Sequence, residues 1–135
     1  MTTITQPLKD EHKELYPKIE TLKLAGLAVH GTLDHAGLQK IDAALEFLTD
    51  HLLPHAEAEE IALYPVVQKV MGSPYATATM SRDHAEVKAL TLELAGYRDQ
   101  ISASEIGMKM ANELKRLLYG LYTLVKVHFA KEEEV

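Results

Sequence analysis

The chain has 135 residues, 47% of them hydrophobic and 25% charged, which excludes disorder and leaves room for one hydrophobic core. A single domain over residues 1–135 is expected. Cysteine is absent, so disulfides, thiolate metal sites and cysteine nucleophiles are excluded. Twenty acidic residues stand against 14 basic ones, a net charge of −6 that argues against a nucleic-acid partner. No apolar run approaches the length of a membrane span. The opening residues Met1–Pro7 lack the basic and apolar regions of a signal peptide, and a cytoplasmic location is the expectation.

Apolar residues recur at helical spacing almost throughout, and strand signals are nearly absent. Helices are expected near residues 8–30, 36–71, 74–100 and 103–133. Gly31, Thr32 and Asp34 mark the first break. Gly72, Ser73 and Pro74 mark the second, with Ser73 as helix N-cap and Pro74 at the first helical position. Ser102 and Glu105 have capping-box spacing at the third. Pro54 and Pro65 fall inside the second helix and should kink or interrupt it. Short connections between long helices predict an all-α fold, an antiparallel up-down-up-down four-helix bundle.

The apolar stripes that would face the bundle core carry polar residues. In the first helix the stripe runs Leu8, His12, Leu15, Ile19, Leu22, Gly26, Val29. The second runs Leu38, Ile41, Leu45, Leu48, Leu52, His55, Glu59, Ala62, Val66. The third includes Met80, His84, Val87 and Leu94. The fourth runs Met110, Leu114, Leu117, Leu121, Leu124, His128, then Lys131 or Glu132. His12 and His55 lie 19 residues from Gly31 and Ala36, so the first turn sets them at one height. Buried polar groups need partners, either a hydrogen-bonded network or a cation. Four imidazoles and two carboxylates are a ligand set for two first-row divalent ions. His-x-x-x-Glu places both side chains on one helical face, and it occurs twice, at His55–Glu59 and His128–Glu132.

The order His12, then Leu53-Pro54-His55-Ala56-Glu57-Ala58-Glu59-Glu60-Ile61-Ala62-Leu63-Tyr64-Pro65, then Asp83-His84, then His128-Phe129-Ala130-Lys131-Glu132-Glu133 resembles the hemerythrin-like, or HHE cation-binding, family of four-helix di-iron proteins. The resemblance covers nearly the whole chain. It implies two iron ions, His12 and His55 on one, His84 and His128 on the other. It further implies Glu59 and Glu132 as bridging ligands beside an oxo, hydroxo or water bridge. The sequence departs from the oxygen carriers at the third helix, where their second histidine is replaced by Met80 or Lys88. Lys88 should point away from the irons. One ligand fewer favours reaction with a small oxidant over reversible storage. The carriers' wider last spacing would select Glu133 instead of Glu132.

His51 is expected at the surface or behind the ligands, and His30 and His35 in solvent. Glu57, Glu60 and Glu134 are assigned to solvated faces. Tyr16 and Tyr64 are expected to pack at the bundle edge with their hydroxyls in water, the alternative being a donor or redox-active phenol near the irons. Leu15, Leu52, Val87 and Leu124 should line the space around the site. Ferritin-like Glu-x-x-His pairs, H-E-x-x-H, the P-loop and G-x-S-x-G are all absent. The function expected is a di-iron protein that binds or senses a small diatomic ligand, oxygen or nitric oxide, or reacts with peroxide. The alternatives are an enzyme decomposing peroxide and a metal-buffering or structural bundle. Neither nucleic acid nor membrane is expected as a partner, and the chain would be a monomer or homodimer.

Overall fold

The computed structural model describes residues 6–133, and their architecture is four long helices joined by three short connections. Helix α1 (residues 6–28) is built from Gln6–Leu15, a 3-10 turn Tyr16–Ile19 that begins with Tyr-Pro, and Glu20–Ala28. Helix α2 (residues 35–71) starts behind Asp34, whose side chain accepts from the Gly37 amide at 2.7 Å. It ends at Gly72, whose φ of 70° provides the left-handed C-cap. Helix α3 spans Ala78–Asp99 and α4 spans Gly107–Glu133. No helix among the described residues is long and apolar enough to cross a membrane.

Neither proline breaks α2. Two π-helical turns, Phe47–Leu52 and Glu59–Leu63, lie just before Pro54 and Pro65. Leu53 N–H donates to Leu48 O and Tyr64 N–H to Glu59 O, each five residues back. The widened turn absorbs one extra residue where the proline, lacking an N–H, cannot continue the α-helical ladder. The helix therefore persists but its register slips. After Glu59 the buried position is Tyr64, and Val66, expected in the core stripe, is exposed.

Two expected helix starts are corrected. Ser73 and Pro74 form a turn, with the Ser73 hydroxyl accepting from the Tyr75 amide, and α3 begins four residues later at Ala78. The Ser102–Glu105 pair caps nothing. Ser104–Glu105 (β2) is extended and pairs antiparallel with Thr32–Leu33 (β1), Thr32 opposite Glu105. Gly31 O accepts from the Ile106 and Gly107 amides, so the connections at 29–34 and 100–106 are clipped together.

The apolar core fills the end of the bundle beneath this clip: Leu22, Ile41, Leu48, Leu94, Leu114, Leu117, Leu118 and Leu121 are fully buried. Helices α1 and α4 approach closely where Gly26 replaces a side chain. A Cβ there would stand 2.7 Å from the Tyr119 ring, and Lys115 Nζ donates to Gly26 O. On α3, Arg98 pairs with Asp42 of α2 at 2.6 Å. Val125 is buried where Leu124 was expected to be. Leu48→Ala should cost about 2–5 kcal/mol and the exposed Leu92→Ala under about 0.5 kcal/mol, read from chemical denaturation midpoints.

Candidate metal centre

All six residues expected to bind metal come together at the end of the bundle away from the clip. His12, His55, Glu59 and His128 are buried, and the side chains of His84 and Glu132 are 11% and 7% exposed. Each histidine is held from outside by a carboxylate on its Nδ1. Glu11 lies 2.6 Å from His55, Glu60 2.8 Å from His84, Asp83 2.9 Å from His128 and Glu133 3.2 Å from His12. An ionised carboxylate only accepts, so Nδ1 of His55, His84 and His128 carries a proton and donates it outward, while His12 Nδ1 only faces Glu133. The Nε2 atoms consequently point inward.

Inside, those four nitrogens converge on two carboxylates. His55 Nε2 lies 3.5 Å and His84 Nε2 3.3 Å from Glu59. His12 Nε2 lies 3.4 Å and His128 Nε2 3.3 Å from Glu132. His84 and His128 present their Nε2 atoms to each other at 3.0 Å. One donor hydroxyl reaches this layer, that of Tyr64, and it is spent on Glu132 Oε2 at 2.7 Å while lying 3.1 Å from His84 Nε2. His12 Nε2, His55 Nε2 and Glu132 Oε1 are buried with no hydrogen-bond partner. Such a set of acceptors is costly in the absence of a cation and suits one well. One donor atom each from Glu59, His84, His128 and Glu132 lies within 4.8 Å of every other, and these four residues could hold a metal ion.

Tyr64 corrects a sequence-based assignment, and Glu60, on the solvated face as expected, has a contact the sequence did not show. Tyr64 is 2% exposed, with its hydroxyl in the cluster and its ring stacked on His84 at 5.3 Å. In a regular α-helix a residue five beyond Glu59 would sit about 140° away from it. The π turn brings it back to the same face, and Pro65, one residue on, is the signal that could have found it. Glu60 is partly exposed, and its carboxylate holds His84 and accepts from Ser81. Glu11 was not singled out, because a carboxylate one residue from a core stripe has no periodicity of its own.

The other residues follow their expected placement. His30, His35, His51, Glu57 and Lys88 are exposed, and Tyr16 is half-exposed, its ring 6.3 Å from that of Phe129. Glu134 lies outside the described residues. A small pocket with about 10 Å³ of room, roughly one water's worth, is walled by Leu52, Val87, Val125 and Phe129 beside Glu59, His84 and His128. Leu15 and Leu124 do not contribute to it, since the buried face of α4 runs through Val125.

The hemerythrin HHE cation-binding domain family matches residues 3–135. The chain belongs to this family, whose members bind metal cations. No curated protein sequence and no solved structure matches it.

Electrostatics of the cation-free cluster follow from the same geometry. Burial pushes the His55 and His128 pKa values down. Glu59 and Glu11 for the first, and Glu132 and Asp83 for the second, outweigh it and leave both raised above 6.5. Burial pushes the Glu132 carboxyl up, but His12 and His128 outweigh it and hold it well below 4.5. The two histidines then contribute stability that is complete below pH 6.5 and lost as pH rises through their raised values. Glu132 contributes stability that is complete above pH 4.5 and lost on further acidification. The metal-stripped protein should therefore have its highest melting temperature between about pH 4.5 and 6.5, measured by thermal denaturation across a pH series.

Proposed function

We propose that the cluster is a di-iron centre in a single up-down-up-down domain, with His12 and His55 on one iron, His84 and His128 on the other, and Glu59 and Glu132 between them. The observation that carries this is four Nε2 atoms and two carboxylates converging in one buried layer, with His12 Nε2, His55 Nε2 and Glu132 Oε1 left without a hydrogen-bond partner. The topology is supported by contacts that descend along one helix as they ascend along the next. From α1 to α4 they run His12–Glu132, Glu20–Tyr122 and Gly26–Lys115. From α2 to α3 they run Asp42–Arg98, Glu60–Ser81 and Gln68–Thr77.

Bound iron would supply electrons to a small oxidant: oxygen, nitric oxide or peroxide. The chain's own residues set the terms. The outer carboxylates orient the imidazoles and raise their basicity. Phe129, stacked on His12 at 4.0 Å, covers one side of the centre, where the pocket beside it has about one water's worth of room. The Tyr64 hydroxyl beside Glu132 and His84 favours the second reading, an enzyme that decomposes peroxide: burial and the neighbouring carboxylates keep the phenol protonated, and it would donate on release from Glu132.

The reading of Glu132 as the ligand is supported by its inward carboxylate, 3.4 Å from His12 Nε2 and 3.3 Å from His128 Nε2. Glu133 is 70% exposed and faces the outer nitrogen of His12. Glu59→Ala and Glu132→Gln should each lower iron well below two per chain. Glu133→Gln should retain it, measured by metal analysis and the near-ultraviolet absorption of freshly purified protein. Full iron in Glu59→Ala would overturn the dinuclear assignment. Tyr64→Phe should keep its iron and slow peroxide consumption by about 10²-fold or more if the phenol is the proton donor. An unchanged rate would leave the binding or sensing reading in place.

A further inference from the structure

A second cavity, of about 440 Å³, opens beside the centre between α1, the end of α2, the start of α3 and the end of α4. Its floor is His12, Tyr64 and Glu132, and its walls are Leu8, Leu63, Val67 and Met80. A diatomic gas or peroxide needs roughly a water's share of space, about 30 Å³, so this cavity is an order of magnitude too large for the oxidant. It falls in the range of sites for small organic ligands. The apolar surface continues outward at the mouth, where Val70 and Met71 line the cavity and are 79% and 66% exposed.

Charge selects the kind of ligand. Lys9 and Lys13, one turn apart on α1, line the cavity, are exposed and have no ion-pair partner among the described residues. In a chain of net charge −6, two unneutralised ammonium groups at the rim of an apolar cleft mark a place for an anion. Glu132, buried on the lining, repels an anionic group from the inner end, while the exposed Glu133 faces His12 Nδ1. An anionic head is therefore held at the rim while an apolar chain extends along the wall towards Tyr64.

We propose that this cleft binds a medium-chain amphipathic carboxylate, its head at Lys9 and Lys13 and its chain on Leu63, Val67 and Met80, beside the metal centre. The binding itself requires no metal, so it stands or falls separately from the di-iron reading.

The test is isothermal titration of the purified full chain with sodium acetate, hexanoate and decanoate. Decanoate should saturate near one per chain. Affinity should rise by up to about fourfold per methylene as the chain is buried. Lys9→Glu combined with Lys13→Glu, both at exposed positions, should weaken decanoate by about tenfold or more. Val67→Trp should fill the cleft and abolish binding while leaving iron content unchanged. Glu59→Ala should still bind decanoate even as it loses iron, which separates the two readings. The proposal is overturned by the absence of saturable decanoate heat, by affinity independent of chain length, or by an unchanged affinity in the double lysine variant. Retention of the protein on phosphatidylglycerol vesicles without binding of free decanoate would assign the face to a lipid surface and overturn it equally.

Discussion

Four imidazoles turned so that their Nε2 atoms face two buried carboxylates is the arrangement on which the open end of this bundle depends. Each ring is turned by an outer acceptor: Glu11, Glu60, Asp83 and Glu133 take the Nδ1 sides, so the Nε2 sides face the two inner carboxylates. The hydroxyl of Tyr64 serves Glu132 and has no proton left for His84. Lys131, which pairs with Asp83 at 3.0 Å, offsets one outer charge and leaves the rest to be balanced from within. Membership of a cation-binding family and the local chemistry therefore agree from independent directions.

Much of this was legible in the sequence because it is periodic. His12, His55 and His128 occupy stripe positions that are otherwise leucine, isoleucine and valine, and a stripe position is a prediction about burial. The paired His-x-x-x-Glu spacing then put Glu59 and Glu132 on the same faces. What could not be read was whatever depends on a break in period. The stripe of α2 after Glu59 slipped by one residue, which exposed Val66 and buried Tyr64. The outer carboxylates were missed for a related reason. They reach the rings from flanking positions across helix–helix gaps, and a residue adjacent to a stripe looks like any other surface acid.

The same physics explains the misplaced helix starts. Capping residues such as Ser73 and Ser102 advertise the willingness of a side chain to accept from a nearby amide, and turns ask for the same thing. Here Ser73 satisfies a turn amide, and the segment after Ser102 finds its partners in the opposite connection. Local propensity was correct about where the chain leaves one helix. Tertiary pairing decided where it enters the next.

The clip between residues 32–33 and 104–105 has a consequence for how cohesion is distributed along the bundle. It ties two connections together above a layer of fully buried leucines, so that end holds itself shut with ordinary hydrophobic packing. The far end, with its cleft and its polar layer inside, has no comparable apolar plug among the described residues. The molecule is thus a clamp with a fixed jaw and a sprung one. In hydrogen exchange, amides of the fixed jaw would open only with global unfolding, while those around His12 and Tyr64 would open locally until a cation draws the jaw closed. The candidate metal site lies at the end whose rigidity would be conditional, and the residues that could hold a metal would double as the latch.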